Sequence, residues 1–399
     1  MSMRIVERAA GQRGVSLIEL MIAMVLGLLV LGAVIQLFIG SKATYTSNEA
    51  LARVQENGRF SIELLKQEVR DIGAQGFCAA RLEIRNHLDT DCPNHPGDIF
   101  GSDLAFMGWE FDGTGRAEAY TLPEDLSPDE IARSKWSTQL PDGSTDSLPS
   151  WLEGLVVPGS DVVVLRQPEI VPGITADPGS NNSSTANSIT LTGSHGLEPN
   201  EIVLVSNCTT GADLFQNVQG GGGGGGGNGG GSGNSSALTR GGGSCSNPGP
   251  GNVNLGSWST VYDDTMQLFR LRVDAYFVGL NDDTGEPGLY RHDFSRQQTE
   301  ELVSGVENMQ ILYGYSNPSD EGGDGQTVNH WLPAHQVPNW EFVIGARLSL
   351  LVRSPENMGD GTVQRTFDLA STAVTHQEDG RLRQPFFTAV SLRNRQIVM

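Results

Sequence analysis

The sequence contains no Cys-x-x-Cys pair, no Gly-Lys-Ser/Thr phosphate loop, no Gly-x-Ser-x-Gly elbow and no loop in the twelve-residue EF-hand order. These absences remove the zinc-ribbon, P-loop, α/β-hydrolase and calmodulin-like readings in turn. Basic residues are also scarce: 26 Lys and Arg stand against 47 Asp and Glu, a formal charge of −21 and a pI near 4.6. Such a surface repels nucleic acid and anionic lipid, so no nucleic-acid partner is expected. Charged residues make up only 18% of the chain, while glycine is abundant at 51. With 38% hydrophobic residues over 399 positions, a packed core remains within reach.

One long apolar run stands out: "GQRGVSLIELMIAMVLGLLVLGAVIQLFIG", residues 11–40. About 20 apolar residues span a hydrocarbon core, so Val15 to Ile39 suffices. No polar side chain occurs from Leu20 to Ile35, and no proline from Val15 to Gly40. The preceding fourteen residues are basic on balance, with Arg4, Arg8 and Arg13 against Glu7. The positive-inside rule therefore places the N-terminus in the cytoplasm and the bulk of the chain outside it. A secretory signal would end in a small-residue cleavage site after the apolar core; here Gly14 precedes it. Glu19 lies inside the run, where a carboxylate costs a few kcal/mol and needs a partner.

The four cysteines, Cys78, Cys92, Cys208 and Cys245, are even in number, which in an exported domain favours disulfides. Of three possible connectivities, Cys78–Cys92 with Cys208–Cys245 closes local loops. The competing metal reading at "HLDTDCPNH" rests on His87, Asp89, Cys92 and His95. It is disfavoured because Cys78 offers Cys92 a partner.

"RGVSLIELMIAM" resembles the class III leader of type IV pilins and pseudopilins. The resemblance implies that a prepilin peptidase cuts between Gly14 and Val15, that the new Val15 amine is N-methylated, and that Glu19 becomes the fifth mature residue. It further implies that Glu19 meets the N-terminal amine of a neighbouring subunit, setting the register of assembly. Val15 departs from the family's usual phenylalanine. The proline that melts this helix in many major pilins is missing, so local melting is not carried over.

After the run, apolar or small residues recur at Leu51, Val54, Gly58, Ile62, Leu65, Val69 and Ile72. Their three- and four-residue spacing is helical. One helix from Val15 to about Ile72 is expected, roughly 85 Å long at 1.5 Å per residue, ending at Gly73 and Gly76. "DLAFMGWEF", "LVVPGSDVVVLRQ", "NSITLTG" and "NEIVLVSNC" read as strands, and "SPDEIARSKW" as a short helix capped by Ser127. Residues 220–243 form a low-complexity glycine-rich loop. "QLFRLRVDAYFVGLNDDTGEPGLYRHDF" reads as a hairpin. "GVENMQILYGYS", "EFVIGARLSLLVRS" and "QPFFTAVSLRNR" follow as further strands.

No catalytic constellation emerges. Ser194 and His195 are adjacent in "GSHGLEP" and read as the opening of the next strand. Two acidic loops offer oxygen ligands for calcium: Asp282, Asp283 and Glu286, and Asp320, Glu321 and Asp324. Solvated turns are the simpler reading of both. No cofactor is implied.

The order "DAYFV…GLYR", "VENMQILYG", "GARLSLLVRS", "FFTAVSLRNR" resembles the PilW-type minor pilins of type IV pili. The expected fold is α+β and pilin-like: a long N-terminal helix, transmembrane in its first half, packed on a C-terminal antiparallel β domain with large insertions. The expected domains are a leader (1–14), a transmembrane or filament-core helix (15–40), its amphipathic continuation (41–76) and a periplasmic β-rich domain (77–399). The resemblance implies a non-enzymatic minor pilin of a priming or tip complex. Its implied partners are the prepilin peptidase, other minor pilins, the major pilin, a tip adhesin and the inner membrane. The protein would sit first in that membrane and then in the extracellular pilus. A minor pseudopilin of type II secretion is the nearest alternative, and a membrane-anchored periplasmic enzyme or receptor the more distant one.

Overall fold

From Leu17 to Arg70 the chain is one α-helix, α1. The computed structural model describes residues 15–70, 72, 84–89, 106–128, 131–180, 182–198, 200–218, 236–241, 243–244, 250–253, 256–320, 324–357 and 363–392. The chain falls into two compact units, Met1–Ala52 and Arg53–Met399. In the first unit α1 is apolar all round from Leu20 to Ile35, and the side chains from Val15 to Tyr45 are exposed. Its apolar window reaches a mean hydropathy of 2.7 with none of it buried, so by length and composition it can cross a membrane.

In the second unit α1 is amphipathic. Val54, Gly58, Ser61, Leu65 and Val69 are buried, while Glu56, Arg59, Glu63 and Gln67 are exposed. This is the three- and four-residue rhythm of a helix with one buried face. Ile72, just past the helix, is also fully buried. "SPDEIARSKW" does not form the expected helix in its described residues. It gives a single 3-10 turn, Arg133–Lys135, without a side-chain cap, and then a strand from Trp136. Trp136 and Thr138 are buried on that strand, and this burial overrides the weak local helix signal.

Ten strands carry the architecture around the site. They are β1 (Phe106–Phe111), β2 (Val162–Ile170), β3 (Ile202–Ser206), β4 (Ala212–Gln216), β5 (Gln267–Leu280), β6 (Pro287–Asp293), β7 (Gln298–Ser304), β8 (Val306–Tyr315), β9 (Val343–Arg353) and β10 (Arg383–Ser391). Among the described residues, the largest sheet has ten strands and runs Ile84–Asn86, β4, β3, β5, β2, β1, Trp136–Gln139, Thr145–Ser147, with β6 and β7 extending from β5. The expected hairpin is β5–β6, paired from Asp274↔Asp293 to Leu280↔Pro287. A second sheet runs His330–Leu332, β8, β9, β10, and a three-stranded sheet joins Thr366–Leu369, Thr372–Thr375 and Ala119–Thr121. Among the described residues pairing is antiparallel except where Ile84–Asn86 meets β4 and where Thr372–Thr375 meets Ala119–Thr121.

Alternation along the strands builds two cores. In β3, Ile202 and Leu204 face the main core, which includes α1 residues Val54, Leu65 and Val69. Val203 and Val205 face a smaller core with Phe215, Trp258 and Leu268. A strand buried on both faces reads as a continuous apolar run, as β3 does from Ile202 to Val205. Each such side chain contributes about 1.5–3 kcal/mol.

The two large sheets are joined by Gly159, Ser160 and Asp161, just ahead of β2. Asp161 N–H donates to Met309 O at 2.9 Å, and its Oδ2 accepts from Ile311 N at 2.8 Å. Its Oδ1 accepts from Phe111 N at 3.4 Å. The Gly159 carbonyl accepts from Asn308 Nδ2 at 2.6 Å and Gln310 Nε2 at 2.8 Å. Residue 159 has φ +78°, and a Cβ there would fall 2.1 Å from the Tyr120 ring, so only glycine fits.

Candidate assembly site

The N-terminus of α1 has a local logic of its own. "SLIE" is a capping-box sequence. Glu19 Oε2 accepts from Ser16 N–H at 3.4 Å, and Leu20 N–H donates to Ser16 O at 3.1 Å. Glu19 therefore reaches back toward the first turn, where the helix dipole also favours an anion. It is the only ionisable residue from Val15 to Ser41. A carboxylate is thus presented one residue from Val15, at the head of an apolar helix. Val15 itself is exposed, and Gly14 lies outside the described residues. At the polar end, Thr44 and Thr46 return their hydroxyls to the Gly40 and Lys42 carbonyls at 2.9 and 3.0 Å. The helix thus continues without a break through the change from apolar to polar sequence.

In the second unit, α1 is anchored by polar contacts at both ends of its buried stripe. Glu68 Oε2 accepts from Arg272 on β5 at 2.5 Å, and Gln167 Nε2 on β2 donates to the Glu68 carbonyl at 2.9 Å. Asn57 Nδ2 donates to Ser304 O at 3.0 Å, and Arg53 meets Glu356 at 3.2 Å.

An arginine–carboxylate network lies where β9 ends and β8 and β10 begin. Glu307 is buried and accepts from Arg353 at 3.1 Å and, through both oxygens, from Arg383 at 2.6 and 2.8 Å. Arg383 also holds Asp379 at 2.6 Å. Arg381 grips Glu286 through two bonds of 2.8 Å, and Arg353 adds a third. Burial alone would raise Asp379, but the hydrogen bonds from Arg383 and the Arg381 amide hold its carboxyl down at about 2. A cleft of about 360 Å³ opens beside this network, lined by Leu122, Leu126, Glu307, Arg353, Asp379 and Arg383 among others.

The structure decides several alternatives left by the sequence. His87 is not set up as a metal ligand. Its Nε2 lies 2.6 Å from Asp213 Oδ1 and its Nδ1 lies 2.8 Å from Arg240, so both ring nitrogens are engaged. Asp213 also accepts from Ser259 Oγ and Tyr262 OH, each at 2.6 Å. Burial would raise its carboxyl, yet these donors hold it below the usual range. Arg240 lies 4.2 Å above the Trp258 ring. Of the remaining proposed ligands there, Asp89 is buried, its N–H donating to Gly251 O at 3.3 Å, and Cys92 and His95 lie outside the described residues.

Glu286 of the first acidic loop is taken by Arg353 and Arg381, so it belongs neither to a calcium site nor to a purely solvated turn. Glu321 of the second loop lies outside the described residues. Asp324 there accepts from Gln326 N–H, Thr327 N–H and Thr327 Oγ1 at 2.6–2.8 Å, as a turn-closing residue does. His195 is buried, and its Nδ1 accepts from Leu197 N–H at 3.0 Å, closing the turn before β3. Cys208 is disulfide-bonded; Cys78, Cys92 and Cys245 lie outside the described residues. Within 220–243, Ala237–Thr239 pairs with Ser188–Thr190, while residues 220–235 lie outside the described set.

Sequence reasoning missed both buried networks, because Glu307 and Arg383, like His87 and Asp213, meet only through long-range strand pairing. One local signal existed. "RLR" at 381–383 puts two arginines on one face of an extended segment.

An exposed apolar helix headed by an acid and continuing into a β-rich domain defines a membrane-anchored, pilin-like α+β protein. Residues 10–35 match the prokaryotic N-terminal methylation motif, and residues 275–394 match the type IV pilus-assembly protein W family. The chain thus carries a prepilin-type methylation motif at its head and a PilW-like region near its C-terminus, which supports a type IV pilin-like, pilus-associated protein. No curated protein and no solved structure matches it. The PilW region includes β6 to β10 and the whole network around Glu286 and Glu307.

Proposed function

We propose that this protein is a minor pilin that acts in a priming or tip complex of the type IV pilus, and that its mechanism is packing rather than turnover. Prepilin peptidase would cut between Gly14 and Val15, and the freed, N-methylated amine would supply a cation at the head of α1. Glu19 would pair with such an amine on an adjoining subunit, offsetting the cost of a carboxylate in hydrocarbon and fixing the axial register. The large β domain supports a terminal position, since a domain of this size is awkward to repeat along a filament. Other minor pilins, the major pilin and a tip adhesin are the proposed partners. Passage from the inner membrane, N-terminus inside, to the pilus is the proposed route.

The observation that carries this reading is Glu19: the lone ionisable group between Val15 and Ser41, bonded to Ser16, the neighbour of the residue that cleavage would make terminal. Its capping bond to Ser16 offers a rival role, and two substitutions separate them. Glu19→Gln keeps a hydrogen-bond acceptor for the cap but removes the charge; Glu19→Ala removes both. Both variants are expected to insert in the membrane and to be lost from sheared pili. Normal incorporation of Glu19→Gln would reduce Glu19 to a helix cap. Co-purification with secretion-system components instead of pilus components would favour the type II pseudopilin reading.

A further inference from the structure

The joint between the two large sheets buries two carboxyl groups side by side. Glu110 is on β1 and Asp161 just ahead of β2, and they are 3% and 2% exposed. Both oxygens of Asp161 accept backbone N–H groups, one from each sheet: Phe111 on β1 and Ile311 on β8. Of the Glu110 oxygens, Oε1 accepts from Thr114 Oγ1 at 3.2 Å, while Oε2 is buried with no hydrogen-bond partner. Asp161 thus has a backbone donor on each oxygen, whereas Glu110 shares one hydroxyl with Phe111 O and its Oε2 lacks a hydrogen bond of ordinary geometry. A buried, ionised carboxylate with an orphaned oxygen beside a second carboxylate is costly, and a proton removes that cost.

We propose that the joint is a proton lock. One proton resides on Glu110 Oε2 in the folded domain, and its loss in alkali loosens the union of β1, the Gly159–Asp161 segment and β8.

The surroundings favour the protonated state. Tyr313 of β8 sends its hydroxyl over Gly108, where a Cβ would fall 1.8 Å from it. Burial, Asp161 and Glu118 all push the Glu110 carboxyl upward. Thr114 and the Ala334 amide pull the other way. Burial likewise pushes Asp161 up, to about 8, against its two backbone donors. His335, on the 3-10 turn that follows Pro333, faces Glu118 and Asp112, and burial lowers its pKa against their pull. The geometry seats the proton on glutamate, and the strong coupling makes it a property of the pair.

An acid whose folded-state pKa lies above its unfolded value binds a proton on folding. Its stabilisation is complete below the unfolded pKa, about 4, and is lost as pH rises through the raised folded value. The test uses the full chain in detergent micelles, unfolded by denaturant at several pH values from 5 to 8. One proton corresponds to a tenfold fall in the folding constant per pH unit. Glu110→Gln, neutral and isosteric, is expected to remove that one-proton slope and to exceed wild type in stability at pH 8. Equal slopes in the two proteins would overturn the proposal. Infrared spectra of wild-type protein carrying carboxyl-labelled glutamate give an arm that needs no variant. A protonated glutamic acid band at pH 7 is expected, and ionised carboxylate alone would overturn the proposal.

Discussion

Phe386 of β10 lies against Gly58 of α1 so closely that a Cβ at position 58 would fall 2.1 Å from the aromatic ring. Gly58 therefore belongs in the helix for a packing reason, although glycine costs about 1 kcal/mol relative to alanine there. Its missing side chain lets β10 approach the helix that feeds the β domain. Gly58→Ala should gain that propensity and still lose stability, by about 1–3 kcal/mol net, because the ring must shift. Pairing it with Phe386→Ala should recover part of the loss, a non-additive cycle in denaturant unfolding. Additive effects would show that the two residues do not share the contact.

Glu307 neutralises two arginines in a setting that excludes water. Its side chain is 3% exposed and that of Arg383 2%. Glu307→Gln should leave two buried guanidinium groups short of charge and cost about 3–5 kcal/mol. Denaturant unfolding of the full chain would read this. A loss below 1 kcal/mol would mean the network is screened like a surface pair.

Asp274 of β5 has the opposite problem from Asp379. Burial raises it to about 6, against the pull of Arg272, whose Nε lies 2.7 Å away, and Asp293 adds to the rise. Its folded-state pKa exceeds the ordinary 3.8, so its stabilisation is full below about 4 and is lost as pH climbs to about 6. Asp379, held near 2, contributes above about 4 and loses its contribution as pH falls toward 2. Asp274→Asn should flatten the stability profile between pH 4 and 6 while leaving the 6–8 window to the Glu110–Asp161 pair. Unchanged slope between pH 4 and 6 would show that Arg272 keeps Asp274 ionised.

Periodicity revealed the parts of this fold whose physics is local. The stripe from Val54 to Val69 and the alternation in the β5–β6 hairpin are neighbour-to-neighbour patterns, and both stand in the structure. "SPDEIARSKW" misled because a good cap and helix formers are also local, while the burial of Trp136 depends on β1, some 25 residues earlier. The order of strands in the ten-stranded sheet, the closure of Asp213 by His87, Ser259 and Tyr262, and the capture of Glu286 by Arg353 and Arg381 arise from pairings across large sequence separations. An acidic turn such as "DDTGE" looks the same in sequence whether water, calcium or arginine satisfies it.

The assembly account stands on the residue that becomes the N-terminus. Intact-mass and N-terminal peptide analysis of the protein recovered from piliated cells tests it most directly. The account predicts a mature chain lacking residues 1–14 and starting at methylated Val15, four residues before Glu19. A chain that retains the leader, or begins anywhere else, would deny Glu19 its counter-charge and contradict the account.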